Sequence, residues 1–378
     1  MPDYPYSTAE LDALRSNTDP KAEAVLDRLL EHFSHQEINT LFRYLSTYEH
    51  HDEVPEFLRE FVEDPGALPD WVDEHKIRIG QQVFSAFGRE IILSLLCRSL
   101  PMCYICGFGA EVLGTTTRLI DIPKNPNFRR RLLETFQFLI DVSRFDLVSQ
   151  AGRGVIAARK VRLIHATIRR FIANQMEWPT EHLGEPINQE DQLMTMSAFG
   201  LEVIRSLKRM GINLNREEKE GWCHLWFTVG YLLGVEEEFI PADYDQCVQM
   251  SERIYASQAR KTDIGLLLCA SCREFMADLL PFNMLKAFSN AVFKYLNEPQ
   301  YRDTMGYDTK NPFWDWFMPI MIHSTLGRDD ERIKRSPVWR FLLHWMNNWL
   351  MGGLSRMVRA RDREFDLPEN LKPVNSGH

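Results

Sequence analysis

Three polar side chains stand on sequence that is otherwise apolar at helical spacing, where burying a polar group is costly unless it is paired or ligated. In NFRRRLLETFQFLIDVSRFD, Phe128, Arg131, Thr135, Phe138 and Val142 share one face, so Arg131 and Thr135 are neighbours on an apolar stripe with Glu134 beside them. In AARKVRLIHATIRRFIANQM, Val161, Ile164, Ile168, Phe171 and Ile172 make the apolar face, and His165 lies inside it. Arg159, Lys160, Arg162, Arg169 and Arg170 flank that histidine. Each set has two readings. Arg131 either snorkels from the core to a carboxylate, with Thr135 bonded back to its own helix, or belongs to a polar pocket. His165 is either a core histidine satisfied by its neighbours or an axial ligand to haem iron. A flat apolar macrocycle needs aliphatic and aromatic walls and one imidazole, and nearby arginines suit its propionates.

A further helix, REEKEGWCHLWFTVGYLLG, carries His224, Thr228 and Tyr231 on one face. His224 is a second ligand, a distal polar group or, by default, a structural hydrogen-bond partner. Two CxxC pairs, Cys103/Cys106 and Cys269/Cys272, have the spacing of a zinc site. Both lie in apolar, helix-like sequence, however, where cysteines three apart read as small buried residues. HExxH, GxSxG and a glycine-rich phosphate loop after a strand are all missing. So are the ExxH pairs of a di-iron bundle, since Arg162 and Gly221 stand three residues before His165 and His224.

The elements that must position these groups are helices. Apolar residues recur at three- and four-residue spacing near 21–47, 55–63, 71–99, 101–117, 127–148, 156–176, 189–210, 216–233, 242–256, 262–279, 283–297, 311–326 and 336–360. Asn215 with Glu218 forms a capping box, Gly234 ends the helix that follows, and Asn188 caps another. Pro281, Pro299 and Pro312 separate the later helices. With neither strand-like alternation nor a 30–50-residue repeat, the expected fold is all-α. Residues 1–70 are read as accessory helices, 71–366 as one large helical domain and 367–378 as a loose tail. The aromatic-rich stretch 311–327 and the helix around 341–354 fit either a buried core or the lining of a channel.

Composition narrows the classes. Of 378 residues, 44 are Lys or Arg and 53 Asp or Glu, a net charge of −9 that argues against a general nucleic-acid binder. Gly 20 and Pro 19 are too few for a disordered or collagen-like chain. The longest uncharged run, Phe341 to Ser355, contains His344, Asn347 and Asn348 and falls short of the roughly 20 apolar residues that span a bilayer. The N-terminus, MPDYPYSTAELDALRS, has neither a basic n-region nor an apolar h-region. The chain as it stands is therefore expected in the cytoplasm, and exported only if a leader has been trimmed.

In order, KIRIGQQVFSAFG, AEVLGTTTRL, RRRLLET, FLIDV, KVRLIHATIRR, PINQEDQLMTMSAFG and HLWFTVGYLLGVEEEFIPAD resemble the latex-clearing protein (rubber oxygenase) family and the related oxygenase that cleaves the farnesyl side chain in mycophenolic acid biosynthesis. The pair Arg131-x-x-x-Thr135, with a histidine 30 residues after the Thr, is the most specific element. The resemblance implies an all-α, globin-like core around haem b, with His165 as the proximal iron ligand and Arg131 and Thr135 in the haem pocket. It also implies dioxygenase cleavage of a C=C bond in an isoprenoid or similar hydrophobic unsaturated molecule, with O₂ as co-substrate. Glu134 stands where some rubber oxygenases carry Lys. It is expected either to act as a base on the activated substrate or to pair with Arg130 or Arg131. The family's separate pocket glutamate falls nearest Glu111. Since a polymer cannot enter a cell, a smaller terpenoid, quinone side chain or lipid is the more accessible substrate. Three alternatives stay open: a haem protein without cleavage activity (peroxidase-like or a sensor), a non-enzymatic helical lipid binder in which His165 is structural, and a metal-dependent oxidase using His165 and His224.

Overall fold

The computed structural model describes residues 3–47, 51–66, 68–117, 126–279, 286–308 and 310–326. The expected segment 336–360, the tail 367–378 and Pro281 lie outside the described residues. Among those described there is no β-sheet, and no helix is long and apolar enough to cross a membrane. The fold is all-α, as the periodicity predicts.

The N-terminal region holds α1 (Thr8–Ala13), α2 (Pro20–His32), α3 (His35–Thr47) and α4 (Glu56–Glu63). A capping box between Ser7 and Glu10 starts α1, and Asp19 caps α2 ahead of Pro20. The expected single run 21–47 is therefore two helices, because Phe33 leaves helical geometry and a new Ser34/Glu37 cap begins. Next come α5 (Glu74–Ser94), α6 (Leu100–Ile105) and α7 (Gly107–Thr117). The chain widens into a π-turn over Leu95–Ser99 between α5 and α6, and it breaks at Cys106 between α6 and α7.

The middle of the chain is α8 (Pro126–Arg144), α9 (Arg153–Gln175), the single turn α10 (Thr180–Leu183), α11 (Gln189–Arg209) and α12 (Arg216–Leu233). Asn188 caps α11, Asn215 and Glu218 make a reciprocal box at α12, and Gly234 closes α12 at φ 99°. Beyond lie α13 (Tyr244–Gln258), α14 (Asp263–Asp278), α15 (Lys286–Leu296), the short α16 (Pro299–Arg302) and α17 (Pro312–Leu326).

Among the described residues two large apolar clusters, with a small third of Ala22, Leu26 and Ala166, hold these helices. The larger joins α5, α6, α8 and α11 to α15 around Trp222, Trp226, Phe136 and Phe275. The smaller wraps α9 with α3, α4 and Val112 of α7. Helix α9 is the axis shared by both halves, packed by α2, α3 and α4 as well as by α8 and α12. The large apolar side chains of α17, within the stretch 311–327, are divided by exposure: Met318, Met321 and Ile322 are buried, whereas Phe313, Trp316 and Ile320 are exposed.

Candidate active site

Helix α8 presents two adjoining stripes. Phe128, Leu132, Phe136, Leu139 and Val142 are packed into the core. The stripe one residue to the side, with Arg131, Glu134, Thr135 and Phe138, keeps part of its surface accessible. Arg131 and Thr135 thus border the core rather than sit on its deepest face. On α9 the pattern repeats: Leu163, Ala166 and Ile172 are fully buried, while Val161, His165 and Ile168 are only partly covered.

The electrostatics show how enclosed these stripes are. Loss of hydration holds the Arg131 guanidinium below its ordinary range, against the opposing fields of Glu134 and Tyr104. Lys160 is lowered for the same reason, opposed by Asp141 and Glu134. Burial, reinforced by Arg169 and opposed by Asp19, brings His165 down to about 4, so its imidazole is neutral at physiological pH. Helices α8 and α9 pack together, and Lys160 of α9 lies in the fields of Asp141 and Glu134 of α8, whereas the charges that reach His165 are those of Arg169 and Asp19.

Along the α8 stripe the hydrogen bonds are local. Thr135 Oγ1 donates to the Arg131 carbonyl at 2.8 Å, a back-bond within α8 that leaves the hydroxyl's lone pairs as acceptors. Glu134 accepts from Arg130 Nε at 2.8 Å, so Arg130 is its near partner on the helix surface. His165 Nδ1 is buried, and among the described residues no hydrogen bond reaches it. Orphaned buried nitrogens are uncommon, because each costs about 1–3 kcal/mol.

The flanking cations behave differently from the sequence expectation that they suit propionates. Arg162 grips Asp19 at 2.5 and 2.7 Å, Arg169 reaches Glu23 at 2.7 Å, and Arg170 pairs with Asp27. Arg159 donates to the Pro65 carbonyl at 2.8 Å. Asp19, Glu23 and Asp27 recur every four residues through the cap and body of α2, so one acidic edge takes up this positive excess. Spacing along α9 alone does not reveal that partner.

His224 has a structural post. Its Nε2 accepts the Asp73 backbone N–H at 2.9 Å at the start of α5, and its ring meets Trp71 edge-on, with centroids 5.6 Å apart. Burial and the Lys76 charge bring it down to about 4. All seven cysteines are free thiols, and among the described residues no group of three or more His, Cys, Asp or Glu is placed to hold a metal ion. Glu111, on α7, is partly covered, and burial together with Asp263 raises its carboxyl above the ordinary range.

Two features escaped the sequence reading. Arg98, in the π-turn, is completely buried against Glu202 and Glu298 at 2.5 and 2.7 Å, and its visible signal is a lone charge inside the apolar run LSLLCRSLPMC. Asp191 and Thr195 are the other feature, accessible residues in the first half of α11, whose other side chains from Gln189 to Ile204 are buried.

The family match makes this all-α chain an oxygenase catalytic domain. The chain belongs to the family described as ER-bound oxygenase mpaB/B′/rubber oxygenase, catalytic domain, which matches residues 121–323, rather more than half of the sequence. It is 25% identical over 248 residues to the rubber oxygenase of Streptomyces sp. (strain K30), a match covering 62% of this chain and 56% of that protein. The chain therefore aligns with little more than half the length of that relative. Its fold is similar to the structure of latex clearing protein LCP in the closed state, with a TM-score of 0.75 at 19% identity, over 97% of this chain and 100% of that one. Arg131, Glu134, Thr135 and His165 all fall inside the family match.

Proposed function

We propose that this protein is a haem b-dependent oxygenase that cleaves a C=C bond of an isoprenoid or similar hydrophobic unsaturated molecule. The observation that carries the reading is His165, a neutral imidazole with a buried nitrogen that receives no hydrogen bond from the described residues. That nitrogen and the apolar neighbours Val161 and Ile168 fit a flat apolar cofactor held through one imidazole. Haem b, when bound, supplies the iron centre at which O₂ is taken up and the redox chemistry of double-bond cleavage.

The chain's own residues do the rest. His165 would hold the iron, and its neutrality spares the site competition from a proton. Arg131 supplies a desolvated positive charge, with Glu134 and Tyr104 as its electrostatic partners. Thr135 offers hydroxyl lone pairs beside it. Glu134, tied to Arg130, is the base that takes a proton from the substrate. The partly covered aliphatic and aromatic side chains exclude water from the reacting alkene. The reaction consumes O₂ and one double bond and yields two carbonyl-ended fragments.

The test is an absorption spectrum of the purified protein before and after dithionite, with a pyridine haemochrome assay, on wild type and His165→Ala. The expected result is a strong Soret band with about one b-type haem per chain in wild type and none in the variant. A colourless wild type, expressed with added haem precursor, or a variant that retains stoichiometric haem would overturn the reading.

A further inference from the structure

Gln192, near the start of α11, is only 6% exposed. Both ends of its carboxamide, Oε1 and Nε2, are buried and make no hydrogen bond among the described residues. Buried side-chain amides are rarely left so, because each orphaned group forfeits its hydration without a return. Either orientation of the amide leaves a donor and an acceptor unused, since neither end is paired. The partner of such a group comes from outside the chain.

Contacts on either side fix what Gln192 lies beside. Phe199, two turns on along the same face of α11, meets Trp226 with ring centroids 4.6 Å apart, and Trp226 meets Phe138 of α8 at 6.4 Å. Two turns before Phe138 stands Arg131. At that end Cys103 of α6 is hydrogen-bonded to Thr195, and the next residue, Tyr104, lies in the field of Arg131. Helices α8 and α11 therefore run in the same direction, with Gln192 level with Arg131. The part of α9 that carries His165 reaches the same level. Arg169 donates to the Ile187 carbonyl at 3.3 Å, just before α11. Arg162 and Asp19 meet beside Gly234, whose carbonyl accepts from Gln189 at 2.9 Å.

Thr135 and Glu134, at this level on α8, are acceptors: the Thr135 hydroxyl proton is committed to the Arg131 carbonyl, and Glu134 is a carboxylate bound to Arg130. A hydrocarbon substrate has nothing to offer an unpaired amide. Dioxygen does, because it gathers negative charge as it takes up electrons and is stabilised by donors already in place. A carboxamide N–H is such a donor, and it does not titrate. We propose that Gln192 is a further catalytic residue of the oxygenase, donating an amide N–H to the oxygen molecule held between α8, α9 and α11. This inference rests on the haem oxygenase reading, because it names another group acting on the same O₂.

The test reads the hydrogen bond directly on reduced, haem-loaded protein, with carbon monoxide standing in for O₂. Gln192→Leu is expected to move the C–O infrared stretch to higher wavenumber, since the donor is gone. Oxygen should leave the reduced variant roughly tenfold faster, the factor that about one net hydrogen bond supplies. Without either gas, the haem-loaded variant should unfold at a denaturant concentration no lower than wild type, because the amide loses no partner in the protein. Gln192→Met, unbranched like glutamine, should give the same three readings if Leu disturbs the packing. An unchanged stretch and oxygen release in both variants, or a marked loss of stability in both, overturns the role of Gln192 and leaves the haem oxygenase reading standing. A wild type that binds no haem overturns both.

Discussion

Arg162 and Asp19 join the helix of His165 to the cap of α2 through two hydrogen bonds of 2.5 and 2.7 Å, one turn before the histidine. Asp19 does double duty, since its side chain also accepts from Ala22 N to start α2. Gly234 backs the pair at φ 99°, where a side chain would displace it. The position of His165 is thus tied to a residue 146 places earlier in the chain, through a contact that is nearly solvent-free.

Breaking that pair from one side should be costly. Arg162→Met leaves a buried carboxylate and Asp19→Asn leaves a buried guanidinium, each worth about 3–5 kcal/mol of lost stability. Chemical denaturation of the two single variants and the double should show the double less destabilised than the sum of the singles. The singles should also retain less haem after dialysis than wild type. Strict additivity, or full haem retention, would show that the pair does not fix α9.

Arg98 makes the complementary case in the π-turn between α5 and α6. It is fully buried between Glu202 and Glu298 and also donates to the Leu296 carbonyl at 2.6 Å. Arg98→Met should cost about 3–5 kcal/mol, because Glu202 is left buried beside only Arg205. The Soret position of the folded fraction should stay that of wild type. A shifted Soret band would mean that the π-turn reaches the cofactor site.

How far the sequence discloses this molecule follows from what each signal encodes. Helical periodicity and caps are local, so the limits of α11, α12 and α13 are legible from Asn188, Asn215, Gly234 and Asp243. The break at Cys106 and the π-turn before it are not, because both depend on how α5 and α6 turn against α11 and α14. On α8 the residues beside the deep stripe are legible as polar interruptions, whereas their one-residue offset from the packed face is a tertiary outcome. The partners of Arg162, Arg169 and Arg170 are invisible to spacing, since the acidic edge lies on another helix.

The His224 bond to Asp73 predicts a pH signature. Its imidazole is held at about 4 in the folded protein, against an ordinary value near 6.5 when unfolded. The neutral form therefore favours the fold fully above about pH 6.5. That contribution is lost as pH falls through the window from about 6.5 to 4, and it is gone below. A displacement of this size corresponds to about 3 kcal/mol. Wild type should lose that much more stability than His224→Gln across the window, since an amide oxygen can still accept the Asp73 N–H without titrating. Parallel stability–pH curves for the two proteins would remove His224 from the account.

Glu134 and Thr135 separate chemistry from scaffolding. The Arg130–Glu134 pair is partly exposed, with side chains 34% and 21% accessible, and pairs of this kind contribute no more than about 1 kcal/mol. Glu134→Gln should therefore leave stability and haem content nearly unchanged. If Glu134 is the base, turnover should fall by roughly 10²-fold or more. Thr135→Val should keep haem and slow turnover, and Thr135→Ser, which restores the hydroxyl, should recover it. Oxygen uptake on an isoprenoid substrate, measured on protein of equal haem content, reads all three. Wild-type turnover in Glu134→Gln would assign Glu134 to the helix surface alone, and wild-type turnover in Thr135→Val would do the same for the hydroxyl.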